Sequence, residues 1–441
     1  MLLLLGAVVG APIAFAAYWF LKGINKSQTY LYSTLPGDVG LSHEPLWWPI
    51  PILLLSGLLV GLTIRYLPGT GGHKPAEGFK PAGATRPIDL PGIAIAAFAT
   101  LSLGAVLGPE APLIAIGSGL GVVAMYLLKR DAPAQATMLV ATAGSFAAVS
   151  TLLGSPLTAA FLLMEIAGLG GAMLEVVLVP GLLAAGVGAL IFVGLDNWTG
   201  YGTQSLAIPN IPPFNTPTWA EFLWAIGIGV GAAVVGTVIR RVSLLAQPLV
   251  ERQMVLLTPV LGLLVALTAI VFAETTDKSS TEVLFSGQSA LPGLIEGAAT
   301  WTAGALVLLA VCKGLAYTVS LSGFRGGPVF PSMFVGATAG IALSHLPGLP
   351  MIAGAAMGIG AMTAVMLRLP LTAVLLTVIF LQADGLALTP LVIIAVVVGY
   401  VVAARLEPAP ATAEDEAAGR QESRSDAEEP VGTDARPAES T

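Results

Sequence analysis

Apolar residues fill most of this chain, in segments separated by short stretches of glycine, proline and charged residues. The segments cover residues 2–21, 49–67, 93–107, 112–128, 137–167, 174–195, 222–239, 256–273, 302–320, 331–343, 352–381 and 389–404. A helix needs about 20 apolar residues to cross a bilayer. Several segments are shorter, so the pattern predicts an all-α polytopic membrane protein in which some helices cross only part of the membrane.

A single carboxylate lies inside the apolar stretch of residues 104–121. Gly108 and Pro109 interrupt the backbone just before Glu110, and Pro112 suits the first turn of a new helix. The free N–H groups of a helix start attract anions. Irregular backbone at membrane depth is tolerated only where it is buried in protein or lines a water-filled cavity. The stretch therefore predicts a broken helix with an acid at its start, as in the binding sites of transporters.

The energetic cost of Glu110 favours a functional role over a structural one. A carboxylate at a helix start is stabilised by about 0.3–1 kcal/mol. A charge in the middle of a membrane helix costs about 2.5–3.5 kcal/mol on insertion scales. Because the stabilisation is smaller than the cost, we expect Glu110 to have a function.

Two motifs occur twice and in the same order. Gly-Pro-x-x-Pro with two following glycines appears at residues 108–121 and again 219 positions later, at residues 327–340. Pro-Leu-Thr-Ala appears at residues 156–159 and again 214 positions later, at residues 370–373, each time with a glycine twelve residues before it. Repeated interruptions predict a duplicated bundle whose site lies where the corresponding breaks meet.

The duplication divides the chain into two half-repeats of a transmembrane domain, residues 1–200 and 217–405. Residues 406–441 form an acidic tail that we expect to be disordered, because it has too few apolar residues to fold. The tail holds ten acids and three arginines and so accounts for the net charge of −7. Basic residues between Arg65 and Arg86, and Arg405 before the tail, place both regions in the cytoplasm by the positive-inside rule.

Composition supports a multi-pass membrane protein, which we expect in the plasma membrane, and it argues against several other classes. Charged residues make up 10% of the chain, against about 25% in soluble domains, and mean hydropathy is +0.86. Cys312 is the only cysteine, and three scattered histidines form no metal pattern. Neither H-E-x-x-H nor G-x-S-x-G occurs. We therefore expect no enzyme, no metal or other cofactor and no nucleic-acid partner.

These motifs resemble those of the CLC family of voltage-gated chloride channels and proton-coupled anion exchangers. Residues 104–112 resemble its G-K/R-E-G-P motif, and residues 322–332 resemble its G-x-F-x-P motif with flanks. Residues 69–72 resemble its G-S-G-I-P loop, and residues 154–165 resemble its N-A-P-L helix, which ends in a glutamate pair. The order and spacing match from about residue 1 to residue 405.

The resemblance implies a CLC-like inverted repeat of tilted and broken helices, assembled as a homodimer in the lipid bilayer with one pore in each subunit. Glu110 would be the gating carboxylate, with chloride as the transported ligand, and Glu165 would lie on a proton pathway. The resemblance also implies an anion path with these binding positions: Thr70, Gly71, Gly108, Pro109, Ala111, Val329 and Phe330.

Several residues depart from the family pattern, and the missing inner glutamate and inner tyrosine bear on proton coupling. Pro109 replaces a basic residue, Ile166 replaces the inner proton-handling glutamate, and no tyrosine follows Arg405. We therefore expect passive or weakly proton-coupled passage of small inorganic anions, chloride by default, with fluoride and nitrate left open. The alternatives are a proton/chloride or proton/fluoride antiporter and, from another class, a secondary transporter of an organic anion.

Two further charged residues each have two interpretations. Glu165, near the end of an apolar segment, either bonds the backbone amides of a neighbouring helix or handles protons. Lys313 lies in an apolar segment, and it either has a structural function or raises the electrostatic potential along the pore.

Overall fold

The computed structural model describes residues 2–41, 45–79, 83–168, 172–200, 214, 216–382 and 385–407. The α-helices in these residues are α1 (Leu2–Thr29), α2 (Leu35–Asp38), α3 (Pro49–Tyr66), α4 (Leu90–Ser102), α5 (Glu110–Leu128), α6 (Ala134–Leu153), α7 (Pro156–Ala167), α8 (Ala172–Thr199), α9 (Trp219–Arg252), α10 (Met254–Thr276), α11 (Leu291–Glu296), α12 (Ala303–Gly323), α13 (Val329–Leu343), α14 (Met351–Leu367), α15 (Pro370–Phe380) and α16 (Gly385–Leu406). The prediction of an all-α chain is confirmed for these residues.

The helices form a multi-pass membrane protein. Within the described residues, nine helical stretches are long and apolar enough to cross a bilayer, and five apolar helices are shorter. Large apolar side chains such as Leu127, Leu190 and Leu245 are exposed on the surface of the bundle. Such exposure is unfavourable in water but suits contact with lipid.

Two of the long apolar runs are each divided into two helices. The run at 137–167 becomes α6 and α7, and the run at 352–381 becomes α14 and α15. Gly154 ends α6 and Arg368 ends α14, both with left-handed backbone (φ of 61° and 58°). Pro156 and Pro370 then begin the next helices, since the first helical position needs no N–H donor.

The sequence repeat corresponds to a repeated helix packing. A Cβ atom on Gly117 of α5 would overlap the carbonyl oxygen of Gly144 in α6. A Cβ atom on Gly336 of α13 would likewise overlap the carbonyl oxygen of Gly358 in α14. Small residues let membrane helices approach backbone to backbone. The paired glycines therefore fix the same close contact in both halves, while the boundaries 1–200 and 217–405 stay predictions.

The chain divides into one unit of residues 1–403 and a second of residues 404–441. Two of our sequence predictions concern residues that the structure does not describe. Residues 408–441, nearly all of the predicted acidic tail, lie outside the described residues. The same holds for Lys80 in the predicted cytoplasmic loop.

Candidate functional site

The two helix breaks meet and pair with each other. The Gly108 N–H donates to the Gly327 carbonyl oxygen at 2.7 Å, and the Gly327 N–H donates to the Gly108 carbonyl oxygen at 2.5 Å. Glu110 and Val329 begin α5 and α13, two residues after these glycines. The N-termini of both helices, with their partial positive charge, therefore lie at one place.

Glu110 binds across this junction. Its side chain is 0% exposed, and Oε1 accepts a hydrogen bond of 3.1 Å from the backbone N–H of Phe330. Oε2 has no hydrogen-bond partner among the described residues. The carboxylate from the first half thus lies at the N-terminus of α13 in the second half, and a helix N-terminus attracts negative charge.

Glycine is required on both sides of the carboxylate. A Cβ atom on Gly327 would overlap Glu110 Oε2, and a Cβ atom on Gly108 would overlap both carboxylate oxygens. Any larger residue at either position would require the carboxylate to move. The repeated Gly-Pro motif therefore makes room for the acid as well as breaking the helices.

The predicted anion-binding positions around Glu110 differ in what their backbones can donate. The Gly108 N–H is engaged with Gly327, and Pro109 has no N–H, so neither offers a free amide donor. The Phe330 N–H is the observed donor to Glu110. Ala111 and Val329 occupy the first two positions of their helices, and their contact with an anion stays a prediction.

The loop that carries Thr70 and Gly71 contacts the second break through an arginine. Thr70 is exposed, and its carbonyl oxygen accepts a hydrogen bond of 3.1 Å from Nε of Arg325, two residues before Gly327. Gly71 packs against the side chain of Arg325. In the described part of the chain, Thr70 has no hydrogen bond with Glu110, so its place on the anion path stays a prediction.

An ion pair supports the loop of residues 68–71. Arg86 Nε and Nη2 donate to the two carboxylate oxygens of Asp89 at 2.9 and 3.0 Å. The hydrogen bond and the charge of Asp89 raise the pKa of the Arg86 guanidinium above its ordinary value. A Cβ atom on Gly69 would lie 2.5 Å from the Cβ of Asp89, so the paired side chain lies directly against the loop.

One face of α12 holds both breaks in place. Tyr317 donates its hydroxyl hydrogen to the Pro328 carbonyl oxygen at 2.9 Å, and Ser320 Oγ accepts from the Val106 N–H at 3.0 Å. Neither Tyr317 nor Ser320 is among the site residues predicted from the sequence. With Lys313 they follow the spacing i, i+4, i+7, which places polar side chains on one helix face. This spacing is the feature of the sequence from which Tyr317 and Ser320 could have been predicted.

The structure favours the structural interpretation of Lys313. Its fully buried ammonium group donates to three consecutive carbonyl oxygens, those of residues 282–284, at 2.9–3.1 Å. Nζ also lies 4.2 Å from the centre of the Phe334 ring. The next residue, Phe285, donates its N–H to the Gly104 carbonyl oxygen at 3.2 Å. Lys313 thereby fixes a loop that supports the first break.

Glu165 caps a helix of the other half. Its two carboxylate oxygens accept hydrogen bonds from the backbone N–H groups of Leu371 (3.0 Å) and Thr372 (2.7 Å) at the start of α15. In the first half, Ser155 caps the corresponding helix α7 with its own side chain. The second copy has Leu369 at that position, which offers no acceptor. These bonds support the amide-bonding interpretation of Glu165, and a place on a proton pathway stays a prediction.

Replacing Glu165 with alanine is expected to destabilise the protein by about 1–2 kcal/mol, because the first amides of α15 lose their acceptor. Glu165→Gln keeps one acceptor oxygen and should cost less. Thermal unfolding in detergent micelles measures the effect. Glu274→Ala, at an exposed position of α10, is the matched control. An equal change in the Glu165→Ala and Glu274→Ala variants would contradict the capping role.

The chain is similar in sequence to a known protein family and to named bacterial proteins. The protein family described as voltage gated chloride channel matches residues 57–404. YfeO of Escherichia fergusonii, provisionally named an ion-transport protein, is 31% identical over 332 residues, which cover 73% of this chain and 74% of that protein. YfeO of Escherichia coli SMS-3-5 is 30% identical over 332 residues, with the same coverage.

Solved structures show the same fold. A slow cyanobacterial Cl⁻/H⁺ antiporter superposes with a TM-score of 0.75 at 18% identity, covering 97% of this chain and 98% of that chain. A CLC-type fluoride/proton antiporter superposes with a TM-score of 0.63 at 19% identity, covering 91% of this chain and 95% of that chain. The predicted CLC-like fold of broken helices is thereby confirmed.

Proposed function

The chain belongs to the voltage-gated chloride channel family, and from this premise we propose that it carries small inorganic anions, chloride by default, through a pore gated by Glu110. One observation carries the proposal. The buried carboxylate of Glu110 accepts a hydrogen bond from the N-terminal amide of α13. A site that holds a carboxylate in this way has the donors that a dehydrated halide needs.

The gate works by competition for these donors. Backbone amides and helix dipoles attract an anion without a full positive charge, so the ion binds but can leave again. An arriving anion and the Glu110 carboxylate repel each other and compete for one place. Either protonation of Glu110 or displacement by the anion therefore frees the site.

Passive or weakly coupled passage is the form of transport that we propose. Exchange of protons for anions needs a second proton carrier on the inner side, and Ile166 stands where the family has that glutamate. Glu165 is bonded to the amides of α15. The alternative, a proton/chloride or proton/fluoride antiporter, is supported by the two antiporter structures with the same fold.

Family membership supports three further proposals about assembly, location and chemistry. We propose a homodimer in the plasma membrane with the C-terminal tail in the cytoplasm. We also propose that the chain acts as a transporter or channel rather than as an enzyme and needs no cofactor.

Halide efflux from liposomes, measured with and without an imposed proton gradient, tests this function. We expect halide efflux, and a reversal potential that follows the chloride gradient and not the proton gradient. A reversal potential that shifts with the proton gradient would establish the antiporter instead. Saturable uptake of an organic anion without halide flux would overturn the proposal.

A further inference from the structure

We infer that a small polar pocket beside the first break is a second anion site, at which a halide rests before it reaches the place occupied by Glu110. This inference rests on the proposed function. The pocket is lined by Leu107 and Pro109 of the first break, by Asn25 of α1 and by Gln288. The volume is about 30 Å³, which suits about two water molecules and therefore one small halide.

Gln288 carries the inference. Its side-chain nitrogen Nε2 is buried and has no hydrogen-bond partner among the described residues. A buried amide N–H without an acceptor carries a desolvation cost, because it has lost its hydrogen bond to water. An anion in the pocket would accept this hydrogen bond and remove that cost.

The two serines of the pocket are neutral and can donate, whereas Gln28 Nε2 already donates to the Leu101 carbonyl oxygen at 2.8 Å. Ser286 Oγ already accepts from the Gln288 backbone N–H at 3.3 Å, so its hydroxyl hydrogen is available to donate. Ser289 supplies a second hydroxyl at an exposed position, where the pocket reaches the protein surface. None of the described residues that line the pocket is charged. Neutral donors without a competing carboxylate bind an anion weakly and reversibly, as a transport path requires.

The loop that carries Gln288 is bonded to α12 and to the first break. Lys313 binds the carbonyl oxygens of residues 282–284, and the Phe285 N–H donates to the Gly104 carbonyl oxygen. The Phe285 ring also packs edge to face on Tyr32, with 5.1 Å between ring centres. A donor on such a loop keeps its position when the ion arrives, so little ordering is needed on binding.

The pocket lies at a position where the sequence departs from the family motif. The family motif has a basic residue directly before the gating glutamate, and this chain has Pro109 there. The pocket lies against Pro109. Neutral donors at this place supply, without a charge, the attraction for anions that the basic side chain would provide.

The first test measures initial halide efflux from liposomes against chloride concentration. Gln288→Leu should raise the half-saturating chloride concentration about 10-fold, which corresponds to the loss of one hydrogen bond to an ion, and should leave the pH response unchanged. Gln288→Glu, of nearly the same shape, should lower flux further because a carboxylate repels the anion. Gln135→Leu, at an exposed position of α6, is the matched control.

The second readout is independent of transport. Crystals of the full-length protein grown in bromide should show an anomalous peak beside Gln288 in the wild type and none in Gln288→Leu. If the wild type carries halide and both Gln288 variants behave like Gln135→Leu, the second site is refuted while the proposed function stands. If the wild type carries no halide, the proposed function fails, and the bromide peak alone decides whether the site exists.

Discussion

Replacing Glu110 with glutamine is expected to remove most of the pH dependence of anion flux. In the wild type, acid should increase flux, because protonation neutralises the carboxylate that competes with the anion. Glutamine has nearly the same shape and no charge, so its flux at neutral pH should already resemble that of the wild type in acid. The expected increase at neutral pH is about 10-fold, the effect of weakening one charge-assisted hydrogen bond by about 1.4 kcal/mol.

Halide efflux from liposomes between acid and alkaline pH measures this effect. Glu110→Ala should also lose the pH response and should conduct at least as well, because it removes the bulk of the side chain together with the charge. Glu274→Gln, on the exposed side of α10, controls for the loss of a carboxylate elsewhere. A pH response that persists in both Glu110 variants would contradict the assignment of the gate.

Replacing Lys313 with methionine is expected to cause the largest loss of stability. Methionine keeps the length and apolar character of the side chain but leaves the carbonyl oxygens of residues 282–284 without their donor. An unsatisfied buried acceptor costs about 1–3 kcal/mol, so the three together should lower the free energy of unfolding by several kcal/mol. The loop that supports Gly104 would also loosen, so we expect the surviving protein to carry less anion.

Thermal unfolding in detergent micelles measures the loss, and halide efflux measures the effect on the break. Lys129→Met, just after α5 and exposed, makes the same chemical change where no buried acceptor depends on the charge. If Lys313→Met unfolds at the temperature of Lys129→Met, the ammonium group contributes nothing to the loop. If stability is unchanged and only anion flux falls, the result would favour the other interpretation, in which Lys313 raises the electrostatic potential along the pore.

The fold could be predicted from sequence because its signals are local. Apolar runs of a given length predict membrane helices, and glycine and proline at residues 108–112 and 327–331 mark breaks whatever the rest of the chain does. Because the same glycine and proline pattern occurs twice, the sequence also predicts that the two helix breaks correspond. The glycine pairs Gly117–Gly144 and Gly336–Gly358 show that the same repeat also sets the packing.

The contacts of the charged residues could not be predicted in the same way. Glu165 was expected either to bond amides or to handle protons, and the choice depends on α15, more than 200 positions away. Lys313 binds carbonyl oxygens of a loop about 30 positions before it. The hydropathy pattern predicts neither of these contacts. A buried charged residue has the same apolar neighbours in sequence whether or not its charge is paired.

By itself, the sequence determined that this is a helical membrane protein with two corresponding breaks and one acid at a helix start. Only the tertiary structure decided that the breaks pair through Gly108 and Gly327, and that Glu110 binds the helix of the opposite half at Phe330. The physical reason is that helix formation and breakage depend on neighbouring residues. A binding site for an anion depends instead on where separate helix ends converge, which is set by the packing of the whole bundle.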